Sequence, residues 1–169
     1  MAVVKLNPKN HLSDAALLEL RDRLDFVLLH DGQCRAIRSL KAMLDRELPR
    51  ALDRFYDQVK KTPQTLRFFS SPSHMGRAKD AQINHWKTIS SANFGDSYAT
   101  QVRAIGTVHA HIGLEPRWYI GGYAIVLDHL VQAALQTPPK RRSFFSARGR
   151  ESTPELPQAL GRLCRAVLL

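Results

Sequence analysis

Val108-His109-Ala110-His111-Ile112-Gly113-Leu114-Glu115-Pro116-Arg117-Trp118-Tyr119 is the stretch on which the fold of this chain turns. An apolar stripe runs into it through Tyr98, Val102, Ile105, His109 and Ile112. Alternating steps of four and three residues mark one face of a helix. An imidazole therefore stands where the pattern expects an aliphatic side chain. A buried histidine needs a partner for its ring nitrogens, because an unpaired polar group costs free energy. A metal is one such partner, and neutral imidazole is a good iron ligand. Gly113 suits a left-handed C-cap that ends this helix, and Pro116 suits the start of the next. The helix after Pro116 carries a stripe of Tyr119, Tyr123, Val126, Leu127, Leu130, Ala134 and Leu135.

The pattern upstream is also helical. Residues 1–14 hold few apolar anchors and read as an N-terminal arm, with a short helix over 14–29 that Asp31-Gly32 breaks. Ile37, Leu40, Leu44, Leu48, Leu52, Phe55, Tyr56 and Val59 keep helical spacing, interrupted at Pro49. Either two helices meet there or one helix kinks. Thr62-Pro63 reads as an N-cap followed by an N1 proline, and Ser70-Ser71-Pro72-Ser73 as a loop. A helix follows from Met75 to Ala92, with a thin apolar side of Ala78, Ala81, Trp86 and Ile89. Its two alanines would let something bulky approach. Gly95-Asp96 opens the helix of His109, with Asp96 as N-cap. Downstream, Thr153-Pro154 restarts a helix bearing Leu156, Leu160, Leu163 and Val167, with Pro157 tolerable in its first turn. That stripe is still in phase at Leu169, as expected of a helix that continues. No strand pattern appears, so the expectation is an all-α domain over 15–169.

Composition narrows the function. The 169 residues are 44% hydrophobic, ordinary for one globular domain. No run approaches a membrane span, and no signal-peptide core is present, so a cytoplasmic protein without membrane contact is expected. Cys34 and Cys164 stand alone, which suits a reducing compartment and excludes a zinc-type spacing. The net charge is +10, part of it in Lys140, Arg141, Arg142, Arg148 and Arg150. Scattered surface charge accounts for such a balance, and no nucleic-acid partner is expected.

Tyr56 lies on the apolar face of its helix as His109 does on its own. Its hydroxyl must reach an acceptor, either a nearby carbonyl or a bound ligand. On helices of one domain the two residues could form opposite walls of a gas-binding site. The other histidines are less informative: His85 could line a pocket edge, His111 points to a different face from His109, His74 falls in a loop, and His11, His30 and His129 read as surface or boundary residues. No HExxH pattern, phosphate-binding glycine loop or nucleophile-base arrangement is present, so no catalytic residue is assigned.

Two blocks carry a resemblance: Asp53-Arg54-Phe55-Tyr56, and His109 through Gly121-Gly122-Tyr123. The second follows the pattern H-x-x-I-G-L-x-P-x-W-Y-x-G, and Tyr56 and His109 are 53 residues apart. Both are similar to the sensor domain of bacterial globin-coupled sensors. The resemblance extends over roughly residues 15 to 135, and more loosely over the terminal helix. It implies a globin fold with an extra N-terminal helix, binding haem b. His109 would be the proximal iron ligand, its other N–H held by a carbonyl one turn back, that of Ile105. Tyr56 would be the distal donor to bound O2, with CO benefiting less. Trp118 and Ala81 would join the cofactor pocket. Ala81 departs from the family, some members of which carry a hydroxyl there, and the basic segment 140–150 is long for it.

The resemblance further implies O2 sensing, with CO and NO as other ligands, and a homodimer through the last two helices. The signal would pass to a C-terminal output domain: a diguanylate cyclase first, a chemotaxis transducer or a kinase otherwise. Two other readings compete. One is a haem globin with NO-detoxifying or peroxidase-like activity, for which no distal His/Arg pair is placed. The other is a cofactor-free helical interaction module.

Overall fold

Apolar periodicity of 3.6 residues, with glycine or proline at most of the breaks, yields eight helices among the described residues and no strand. The computed structural model describes residues 14–136 and 156–167. The arm over 1–13, the basic segment 137–155 and the last two residues lie outside them. The helices are α1 (Asp14–Phe26), α2 (Asp31–Ser39), α3 (Lys41–Lys61), α4 (Pro63–Leu66), α5 (Pro72–Ser91), α6 (Asp96–His111), α7 (Pro116–Gln136) and α8 (Leu156–Val167).

α3 is the keel of the fold. It buries Leu44, Leu48, Ala51, Leu52, Tyr56 and Val59, packs most broadly on α7, and also packs on α5. α8 lies on α2, where Ala159, Leu160, Leu163 and Ala166 meet Cys34, Ala36 and Ile37 in the main core. Pro49 sits inside α3, so one helix continues through the proline. Pro49 withholds the N–H that the Asp45 carbonyl would have accepted, and its ring crowds that carbonyl, a cost that the packing of α3 offsets. Between α3 and α7 lies Glu47, which is buried and bonded to Arg46 at 2.8 Å and to Nε2 of His129 at 3.3 Å. The Arg46 hydrogen bond, aided by His129, holds its carboxyl below the usual range. His129 is thus half-buried in a helix contact and also meets Arg54.

Several helix ends differ from the sequence reading. α1 stops at Phe26, and Asp31-Gly32 open α2 instead of breaking a helix. The stop is a Schellman-type cap: Leu29 N–H donates to Leu24 O and Leu28 N–H to Asp25 O. Leu28, at φ 55°, occupies the left-handed position. The single stripe expected from Ile37 onward is divided at Leu40 between α2 and α3. Thr62 precedes α4 as expected, but its hydroxyl turns back to Gln58 O at 2.9 Å. α5 starts at Pro72, so His74 is helical, and Ser71 caps it by accepting the His74 N–H at 3.1 Å. Gly95, not Asp96, is the N-cap of α6.

Candidate functional site

α6 is built differently from α3, though its sequence stripe is similar. Tyr98 is the only residue α6 buries. Val102, Ile105, His109 and Ile112 are half-buried. α6 packs on α1, and no broad helix contact joins it to α3, α5 or α7. Its first turn is anchored: Tyr98 stacks on His85 of α5 at 6.1 Å, and its hydroxyl lies 3.5 Å from Ala166 O. Val102 still packs against the main core, and beyond it the apolar face of Ile105, His109 and Ile112 is only half-covered.

His109 occupies the last turn of this half-covered face. Burial pushes its imidazole below the ordinary range, so the neutral, metal-binding form is favoured. Its ring stacks on Tyr119 at 5.5 Å, nearly parallel at 14°. No hydrogen bond joins the ring to any described residue, the Ile105 carbonyl included. The backbone of His109 is tightly held. Gly113, at φ 66°, lets Gly113 N–H reach Ala110 O at 3.1 Å and Leu114 N–H reach His109 O at 2.9 Å. α7 starts two residues after Leu114, so Tyr119 folds back onto the imidazole.

Tyr56 sits on α3 in a separate small cluster with Val59 and Met75, flanked by Phe55, Phe69 and Ala78. The residue is only 6% exposed, and burial pushes its phenol well above the usual range. It therefore stays protonated, a donor at any physiological pH. Its hydroxyl has no hydrogen-bond partner among the described residues. Two edge-on aromatic contacts orient the ring: Phe55 at 4.9 Å and Phe69 at 6.1 Å.

The remaining candidates divide. Ala81 is exposed on α5, Ile105 is half-buried on α6, and Trp118 is half-buried on α7 beneath the Arg117 guanidinium at 5.0 Å. The indole N–H of Trp118 and Nδ1 of His85 are buried without a partner among the described residues. His85, whose imidazole burial holds below its ordinary range, stacks on Tyr98 in the first turn of α6. The sequence reading placed Tyr119 in a core stripe and missed its stack on His109. The tight Gly113–Pro116 corner is the signal that returns it. A surface cleft across α3 and α7, lined by Arg54, Asp57, Gln58, Lys61 and Ile125, contains none of the candidates. Chemically, the arrangement offers one neutral imidazole for a metal, one obligate phenol donor, and an apolar helix face between α6's anchor and its corner. No group of metal-ligating side chains occurs elsewhere among the described residues.

Known proteins agree with this frame. The chain resembles the "Heme-based aerotactic transducer HemAT" of Halobacterium salinarum, with 24% identity over 116 residues, 68% of this chain and 24% of that protein. It thus spans about a quarter of that relative's length. The protoglobin family profile matches residues 17–168, from within α1 through α8, on a frame that is all-helical among the described residues; the chain belongs to the protoglobin family.

Proposed function

We propose that residues 15–169 form a haem-based O2-sensor domain, preceded by an arm over 1–14. The observation that carries this is a pair of desolvated groups held neutral, the His109 imidazole and the Tyr56 phenol, neither hydrogen-bonded to a described residue. Both polar atoms stand open to a partner that the polypeptide does not supply, the imidazole to a metal and the phenol to an acceptor. Ile105 and Ile112, half-buried on the same face and outside the main core, fit a flat apolar group in the same place. Haem meets both demands, and when bound it supplies an iron that takes a diatomic gas. Haem b is the form proposed, because isolated Cys34 and Cys164 make no thioether attachment motif.

His109 would hold the metal, with Tyr119 fixing its ring plane. Ile105 and Trp118 would flank the group, and Ala81 would leave space on the distal side. Tyr56 would donate its hydrogen bond into the gas site, favouring a ligand with partial negative charge such as O2 over CO, with NO also able to enter. A pull on the imidazole would act on α7 by two routes, the His109 O–Leu114 N–H bond and the Tyr119 stack. Ile120 and Leu135 on α7 are exposed apolar residues, which supports a homodimer through α7 and α8. The domain is proposed as non-catalytic and cytoplasmic, with its output on a C-terminal partner domain. A diguanylate cyclase is the first choice, and the HemAT similarity favours a chemotaxis transducer as the second.

The test is spectroscopic. Purified protein reconstituted with haem should show a Soret band, and His109→Ala should lose the native ferrous spectrum. A native spectrum in that variant would reject His109 as the ligand. Tyr56→Phe should speed O2 dissociation by about tenfold, the worth of one strong hydrogen bond, and change CO dissociation less. An unchanged O2 off-rate would remove Tyr56 from the site.

A further inference from the structure

Phe55 and Tyr56 are neighbours on α3 and so project about 100° apart around the helix. Tyr56 belongs to the small cluster with Val59 and Met75, whereas Phe55 packs against that cluster and against the main core. Phe55 also meets Gly122 of α7, which is buried. A Cβ placed on Gly122 would meet Phe55 Cε2 at 2.6 Å, closer than carbon atoms sit, and Cζ at 3.2 Å, which is tight. Gly122 is therefore a seat cut to the Phe55 ring. The same ring meets Tyr56 edge-on at 4.9 Å and 71°. Gly122 also stands three residues after Tyr119, one helical turn from the residue stacked on His109.

We infer that Phe55 is a positioning residue: a wedge between Gly122 and Tyr56 that sets where the distal phenol points. This rests on the proposed role of Tyr56 and deepens it. The first two turns of α7 then touch both sides of the site, His109 through Tyr119 and Tyr56 through Gly122 and Phe55. A shift of α7 driven from the output side would move the Phe55 ring and with it the phenol donor. Linkage makes the coupling reciprocal, so the state of the output would alter O2 affinity.

The experiment uses the haem-loaded protein and three substitutions. Gly122→Ala pushes the ring, Phe55→Leu removes it, and Tyr56→Phe removes the donor. Gly122→Ala and Phe55→Leu should each change the O2 dissociation rate by about three- to tenfold, up to the worth of one hydrogen bond. Each should also shift the C–O stretching frequency of the CO complex, which reads the donor directly. Placed on Tyr56→Phe, neither should change the off-rate or the frequency further, because the residue they act through is gone. Equal effects with and without Tyr56 would overturn the wedge, as would single variants that leave both readouts at wild-type values. If Gly122→Ala does not fold, Phe55→Leu alone decides by the same cycle. Should Tyr56→Phe itself leave the off-rate unchanged, the parent reading of Tyr56 fails and the wedge with it. A Tyr56→Phe effect without a Phe55 or Gly122 effect rejects the wedge alone.

Discussion

α3 and α6 carry the same signature in sequence, an apolar stripe with one polar aromatic or imidazole in it, and have opposite environments. α3 is covered on its stripe by α5 and α7 and buries most of it. α6 buries Tyr98 alone, and its stripe runs half-exposed to His109. The polar member of each stripe is affected alike, since burial drives both Tyr56 and His109 toward their neutral forms. Helical period thus reports which side chains share a face. What covers that face is decided by the other helices, or by a group that is not polypeptide.

The sharpest way to break this contrast is to cut both stripes in the apoprotein. Leu52→Ala, at a fully buried α3 position, should lose about 2–5 kcal/mol of stability in denaturant unfolding. Ile105→Ala on α6 should cost under about 1 kcal/mol, because a half-buried side chain leaves little cavity. Equal losses would show that α6 is packed as core. Haem-loaded protein should widen the Ile105 effect, which thermal melts with and without haem would measure.

The helix ends permit a second, smaller comparison. α1 and α6 both finish in Schellman-type caps, with Leu28 and Gly113 in the left-handed position. Gly113→Ala should destabilise by about 1 kcal/mol, since alanine is strained at positive φ. Leu28→Gly should be neutral or stabilising by up to about 1 kcal/mol, because Leu28 is 58% exposed and its backbone is the strained one. A loss of stability in Leu28→Gly would mean that its side chain is anchored. Urea midpoints suffice for both.

The smallest expected effect concerns pH. Burial holds the His85 imidazole below its ordinary range, so the folded chain keeps it neutral while the unfolded chain takes up a proton. The unfolded state binds more protons below about pH 6.5, hence apoprotein stability should fall as pH drops through that value. His85→Gln should flatten part of that fall. A variant with the wild-type pH slope would place the titration elsewhere.

Legibility followed the residues with special backbones. Gly113 and Pro116 marked the corner after His109, and the structure places a helix end and a helix start there. Leu28 and Ala92 take the same left-handed conformation without glycine, and the end of α1 was accordingly set too late. No turn residue announces the stop at Leu28, beside which Leu29 is buried. Pro49 was ambiguous in sequence because proline fits either a first turn or a kink, and the packing of α3 on α7 favours continuity.

By itself the sequence determined the helical class, the shared faces, and His109 and Tyr56 as polar members of apolar stripes, because side-chain period and backbone preference are local properties. Only the tertiary structure decided that α6 buries Tyr98 alone and that Tyr119 returns to His109. It alone also seats Phe55 on Gly122 against Tyr56. Those contacts join residues far apart in the chain, and close packing across helices leaves no periodic trace in either partner.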